Sequence, residues 1–254
     1  MCRRIAIAMV VAGLVVASCG SGDGASDAAS TGGITVFAAA SLTAAFGGLG
    51  DAFTTANPDV DVRFNFAGSS DLVAQISDGA PVDVFASADL TTMAKLTDAG
   101  LAAGEPSTFA TNVVEVVVEP RNPLGITGVA DLADGDLVVV QCAPGVPCGS
   151  YAVQVFANAG ITVTPSSYEE NVNGVVTKVT LGEADAGIVY RTDVIAAGDA
   201  VEGVPIPDEI NVVAEYPIAP VADAPNAAGA QAFVDFVLSP SGQDILAAYG
   251  FGPA

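Results

Sequence analysis

Apolar residues in this chain fall into two alternating rhythms, a short run and then a helical stripe, and the alternation predicts a βα architecture. Ile34 to Ala40 is a short apolar run, after which Leu42, Phe46, Leu49 and Phe53 recur at helical spacing. Asn57-Pro58 ends that helix, and Val60, Val62, Phe64 and Phe66 alternate as a second strand. Leu72, Val73 and Ile76 return to helical spacing up to Gly79. Val82 to Ala86 reads as a third strand, and Leu90, Met93 and Leu96 as a third helix that ends near Gly100. Three such units in about 70 residues imply a parallel sheet with right-handed crossovers.

The second half of the pattern is less regular. Val113 to Glu119 reads as a strand broken by Pro120-Arg121-Asn122-Pro123. Asp136 to Gln141 is another strand, followed by a loop with two cysteines and a helix from Ser150 to Ala159 that Gly160 closes. Asn171-Val172-Asn173-Gly174 opens a helix through Val176, Val179 and Leu181, and Ala186 to Tyr190 is a strand ending in a tyrosine. Asn211 to Val221 is extended. From Ala227 the pattern is helical, with apolar stripes at Phe233, Phe236 and Val237 and at Ile245, Leu246 and Tyr249, separated by Ser239-Pro240. No phosphate-binding G-x-x-x-x-G-K-[ST] loop is present, and no G-x-G-x-x-G opens a helix after a strand, so nucleotide binding has no support.

The strand-to-helix junctions carry the candidate chemistry. Ser41 and Ser69 each follow a strand and open a helix, which predicts that they cap it. A helix N-terminus has unpaired N–H groups and the positive end of the macrodipole, so it can hold an anion without a basic residue. Gly68 lets the backbone approach a neighbour closely. The loop from Pro144 to Gly149 offers a further helix N-terminus, and Tyr190 stands at the same kind of strand end. In parallel sheets, ligands bind beyond the carboxyl ends of the strands, where Ser41 and Ser69 both fall. The plainer alternatives are that the serines only cap their helices and that Tyr190 only packs.

Composition narrows the choices. The 254 residues are 51% apolar and 14% charged, enough for one large or two ordinary α/β domains. Histidine is absent, which excludes Ser-His-Asp and Cys-His catalysis and the common His-bearing zinc sites. Seven Lys and Arg face 29 Asp and Glu, and such a surface repels nucleic acid. Arg3-Arg4 followed by the apolar run Ile5 to Ala17 reads as a secretory signal, residues 1–18. Val16-Ala17-Ser18-Cys19 resembles a bacterial lipobox, in which Cys19 is lipidated, and residues 19–33 read as a flexible tether. Outside the cytoplasm the remaining pair, Cys142 and Cys148, is expected to be a disulfide, adding ~2–3 kcal/mol on the chain-entropy model. A thiol metal site lacks further ligands nearby.

Six segments carry a family resemblance: Thr35-Val36-Phe37-Ala38-Ala39-Ala40-Ser41-Leu42, Phe66-Ala67-Gly68-Ser69-Ser70, Gly79-Ala80-Pro81-Val82-Asp83-Val84-Phe85-Ala86-Ser87-Ala88-Asp89, Val146-Pro147-Cys148-Gly149, Gly187-Ile188-Val189-Tyr190 and Tyr249-Gly250-Phe251. Together, and in this order, they resemble the substrate-binding proteins of bacterial molybdate ABC transporters. The resemblance implies a type II periplasmic-binding-protein fold: an α/β lobe of residues 34–112 plus 216–254, a second of residues 113–215, and a hinge and ligand cleft between them. It implies that Ser41 and Ser69 each offer a hydroxyl and a backbone N–H. From the second lobe would come the N–H groups of Cys148 and Val172 and the Tyr190 hydroxyl. Cys148 stands where the family often has alanine, a change a backbone donor tolerates. The implied ligand is molybdate or tungstate, with no separate cofactor and no direct metal-ion ligand. The implied partner of the monomer is a membrane permease, met at the outer face of the cell membrane.

Three other readings fit parts of the pattern. A receptor for sulfate or another small oxyanion would use the same junctions. A secreted hydrolase with Ser41 or Ser69 as nucleophile would need Lys95 or Lys178 as base, and neither lysine has a Ser-x-x-Lys spacing to those serines. A purely structural surface lipoprotein would show no ligand-dependent rise in melting temperature.

Overall fold

The computed structural model describes residues 32–254; the signal segment, Cys19 and the tether up to residue 31 lie outside the described residues. The chain runs β1 (Gly32–Ala39), α1 (Thr43–Ala56), β2 (Val60–Ala67), α2 (Ser69–Ser77), β3 (Val84–Ala86), α3 (Leu90–Asp98) and β4 (Ser107–Val118). It continues through β5 (Val139–Cys142), α4 (Pro147–Ala159), β6 (Ser167–Glu169), α5 (Val172–Thr180), β7 (Ala186–Tyr190), α6 (Arg191–Ala197) and β8 (Glu202–Pro205). The last elements are β9 (Val213–Pro220), α7 (Ala227–Leu238) and α8 (Pro240–Ala248).

Strands lie in the order β2-β1-β3-β9-β4-β7-β5-β6, with β8 beside β4. β1 pairs in parallel with β2 and β3, and β5 in parallel with β6 and β7, so the sheet has two parallel halves. The antiparallel pair β4 and β9 joins them. β4 is twelve residues long and serves neighbours in succession, β9 along residues 107–113, then β7 and β8 along residues 114–118.

Burial on both faces explains why β1 reads as an apolar run rather than an alternation. Val36 and Ala38 join one core cluster, whereas Phe37 between them joins another with Leu72, Phe85 and Leu96. α1 buries Phe46, Leu49 and Phe53, the stripe that its spacing predicts. Phe46 and Phe53 pack with Phe64, Phe109 and Phe233, ring centroids 5.3 to 6.2 Å apart. Each fully buried ring contributes roughly 1.5–3 kcal/mol. This cluster ties α1 and α7 to β2 and β4, and so supports β1 from behind.

Several element boundaries differ from the sequence pattern. β1 takes in Gly32 and Gly33, assigned above to the tether, because they continue the ladder opposite Val60 and Asp61. β4 starts six residues before Val113, because Ser107, Thr108, Thr111 and Asn112 interrupt the apolar alternation while their backbone pairs with β9. α4 starts at Pro147 rather than Ser150, with proline in the first turn, where its missing N–H costs nothing. β6, α6 and β8 have no counterpart in the pattern; they are three, seven and four residues long, too short for a period to show. Among the described residues no helix is long and apolar enough to cross a membrane.

Candidate functional site

The register of the two parallel halves brings the junctions together. In the first half Ala39 lies opposite Ala67, and Ala38 opposite Ala86, so the segments leaving β1, β2 and β3 are neighbours. These segments carry Ser41, Ser69 and Ala88. In the second half Cys142 lies opposite Glu169 and Val140 opposite Gly187, which likewise groups the N-termini of α4 and α5 with the end of β7. These carry Cys148, Val172 and Tyr190. The two groups face each other across one cavity, lined by all five predicted residues together with Gly68, Ala88, Pro147 and Asn171 among others.

The cavity is small, about 20 Å³ measured at the centre of a water-sized sphere. On that measure one water molecule needs about 10–15 Å³, so the space suits a small ion and excludes a sugar or peptide. The lining carries no ionisable acid or base apart from the Tyr190 phenol. Its donors are hydroxyls and helix N-termini. Ser69 and Val172 are the first residues of α2 and α5, and Cys148 is the second of α4, positions whose N–H groups have no intrahelical acceptor.

The serines do not cap their helices. Ser41 sits within a short 3-10 turn, Ala40–Leu42, that precedes α1, and no side chain caps either element. Its hydroxyl instead pairs with the Tyr216 hydroxyl at 3.0 Å. Gly68, not Ser69, occupies the cap of α2, and Ser69 Oγ accepts from the Ala88 N–H at 3.1 Å. Having accepted there, Ser69 keeps its own proton to donate. Tyr190 is 1% exposed, and its hydroxyl has no hydrogen-bond partner. Burial pushes its pKa well above the ordinary phenol value, with the neighbouring Tyr216, Tyr151 and Asp193 adding to the rise, so it stays a donor. Its ring packs edge-on against Tyr151 and Tyr216, centroids 6.2 and 5.8 Å away.

Contacts across the cavity hold the halves closed. Ser70 Oγ donates to the Gly145 carbonyl at 2.8 Å, and the Tyr151 hydroxyl donates to the Ala88 carbonyl at 3.4 Å. A Cβ on Gly68 would stand 2.7 Å from the Glu170 carbonyl oxygen, so the approach of the two halves requires glycine there. The loop that carries Gly145 is closed by a disulfide, Cys142–Cys148, with S–S 2.03 Å. Gly149 lies so close to the Ala143 carbonyl that a side chain has no room.

A second set of buried groups was not singled out from the sequence: Tyr216, Asn112, Thr192 and Asp193, all under 9% exposed. Asp193 Oδ2 accepts from the Tyr190 N–H at 2.9 Å, fixing the start of α6. Burial raises the Asp193 carboxyl to about 7, against which the Tyr190 N–H pulls. Tyr216 lies in a stretch that reads only as extended, Asn112 just before the strand expected from Val113, and neither carried a motif.

Known proteins bear on this geometry. The profile of the bacterial extracellular solute-binding proteins matches residues 34–252. Molybdate-binding protein ModA of Mycobacterium tuberculosis (strain ATCC 25618 / H37Rv) is 45% identical over 248 residues, 96% of this chain and 94% of the relative. Among solved structures, the periplasmic molybdate-binding protein of Azotobacter vinelandii superposes with a TM-score of 0.75 at 22% identity, over 87% of this chain and 99% of that one. The sulfate-binding protein SubI of Mycobacterium tuberculosis H37Rv superposes with a TM-score of 0.80, also at 22% identity, over 87% of each chain. These superpositions establish a periplasmic-binding-protein fold and, at that identity, do not discriminate between ligands. Matched by its profile from residue 34 to residue 252 and by a relative at 45% identity, this chain belongs to the bacterial extracellular solute-binding proteins, in the molybdate-binding (ModA) family.

Proposed function

We propose that the protein captures molybdate, and tungstate with it, outside the cytoplasm and delivers the anion to the permease of an ABC transporter. The observation that carries this reading is the cavity itself, with its neutral donors and a buried Tyr190 hydroxyl that lacks a partner. A tetrahedral dianion supplies the missing acceptor. Ser41 and Ser69 would donate from one half through hydroxyl and N–H. Tyr190 would donate from the other through its hydroxyl, and Cys148 and Val172 through their N–H groups. Helix N-termini favour negative charge there without a basic side chain. A hydrogen bond to a charged ligand contributes about 1.5–3 kcal/mol, so this set supports micromolar to nanomolar affinity after the costs of association.

The protein acts by binding, not by catalysis. Residues 34–112 with 216–254 form one lobe and residues 113–215 the other, and they hinge where β4 and β9 pass between them. The open form takes the anion onto one lobe, and closure adds the second lobe's donors and creates the surface that the permease reads. Lipidated Cys19 would anchor the monomer to the outer face of the cell membrane. Selectivity over sulfate comes from cavity size. Titration calorimetry with molybdate, tungstate and sulfate tests the reading: tight binding of the first two is expected, and tight sulfate binding with no molybdate response overturns it in favour of a sulfate receptor.

A further inference from the structure

One short loop meets both halves at the cavity. Residues 142–148 leave the end of β5 and enter α4, and the Cys142–Cys148 disulfide closes them into a ring. The bond starts on Cys142, the last residue of β5, which is 0% exposed. It ends on Cys148, which lines the cavity and whose N–H, in the first turn of α4, has no intrahelical acceptor. Between the two, Gly145 presents the carbonyl that accepts from Ser70 Oγ of the opposite half at 2.8 Å. Hydrogen bonds also tether the ring. The Ala143 N–H donates to the Glu169 carbonyl at 2.9 Å, the Val146 N–H to the Ala143 carbonyl at 3.1 Å, and Ser150 Oγ to the Pro144 carbonyl at 3.0 Å. Among these restraints the covalent bond alone ends on the donor residue.

We propose that the Cys142–Cys148 disulfide is a positioning element of the anion site: it holds the ring so that Cys148 stands at the cavity and the Gly145 carbonyl within reach of Ser70, and anion affinity therefore follows the oxidation state of the pair. This rests on the anion-binding reading of the cavity and adds a redox control to it. Reduction frees the ring to leave this arrangement, and binding must then order it again, an entropic cost that the oxidised protein does not meet. The reductant is a dithiol. Its thiolate attacks one sulfur of the pair and its second thiol displaces the mixed disulfide, so two electrons and two protons pass to Cys142 and Cys148 while the dithiol closes to a cyclic disulfide. Reciprocity fixes the converse: if the bond raises anion affinity by some factor, the bound anion shifts the pair toward its disulfide by the same factor.

Calorimetry and a redox titration test the coupling, with molybdate as the probe and dithiothreitol with its cyclic disulfide as the redox buffer. Molybdate is expected to bind the reduced protein about tenfold more weakly than the oxidised one, the equivalent of one misplaced hydrogen bond to a charged group. A variant with both Cys142→Ala and Cys148→Ala keeps the backbone donor and is expected to match the reduced protein. Saturating molybdate is expected to lower the midpoint potential of the pair by about 30 mV, the same tenfold factor for a two-electron couple. Equal affinity of the oxidised and reduced proteins, with an unmoved midpoint, overturns the proposal and leaves the anion site standing; a disulfide that only stabilises the fold gives that result. An oxidised protein without a molybdate response overturns the site and the proposal with it. Should the reduced protein and the double variant both fail to fold, Ser70→Ala in the oxidised protein decides. Molybdate leaving about two- to tenfold faster at an unchanged ligand-free melting temperature supports the placement of the ring, and an unchanged release rate overturns it.

Discussion

Tyr190→Phe separates binding from folding. No group of the protein pairs with this buried hydroxyl in the closed arrangement, while the ring keeps its edge contacts to Tyr151 and Tyr216. Phe preserves those contacts. Removing it takes no hydrogen bond from the fold, so the melting temperature of the ligand-free protein should stay unchanged or rise. The bound protein differs, because there the hydroxyl donates to a charged oxygen. Loss of such a bond, about 1.5–3 kcal/mol, weakens molybdate about 10- to 150-fold. The raised pKa of Tyr190 keeps it protonated through the working range, so the deficit should not vary with pH between neutral and mildly alkaline. Calorimetry supplies the dissociation constants and a thermal melt the stability. A lower ligand-free melting temperature together with an unaltered dissociation constant would show that the hydroxyl serves the fold and not the ligand.

Gly68→Ala should keep the ligand-free melting temperature yet weaken molybdate severely, since the added Cβ meets Glu170 of the facing half only on closure; normal affinity in this variant would mean that the halves do not meet as described. Asp193 supplies a pH dependence. Its carboxyl rises from 3.8 to about 7 on folding, so its stabilising contribution is complete below the unfolded value and is lost as pH rises through 7. The loss is at most about 4 kcal/mol, and Asp193→Asn, which can still accept the Tyr190 N–H, should lack it. Melting curves from mildly acidic to alkaline pH should therefore converge at the acid end and separate at the alkaline end, and parallel curves would reject the assignment. Reducing the Cys142–Cys148 disulfide, whose cysteines are 6 residues apart, should cost about 2 kcal/mol of stability by chain entropy. Equal melting of the oxidised and reduced protein would show that the loop is held by its other contacts.

Much of the fold was legible because β1 to α3 repeat one device, an apolar run and then a stripe, with both faces of the strands covered. The candidate site was legible for a related reason. Helix N-termini that follow strands offer unpaired N–H groups, and the parallel register brings such ends to one edge. What stayed hidden depends on tertiary contact. Ser41 looked like a cap because serine usually is one, yet its hydroxyl pairs with that of Tyr216, 175 residues away in the chain. Nothing local marks Tyr216 or Asn112, whose importance comes from lying on the two strands that cross between the halves. Asp193 was equally invisible, since the short helix that it opens has no counterpart in the sequence pattern, yet it is 7% exposed.

Diffraction from crystals grown with molybdate, with data collected at the molybdenum absorption edge, tests the central claim most directly. A single strong anomalous peak is expected between the two halves. Its oxygens should lie within about 2.7–3.2 Å of the hydroxyls of Ser41, Ser69 and Tyr190 and the N–H groups of Cys148 and Val172. An empty cavity, or a peak confined to the protein surface, would contradict it.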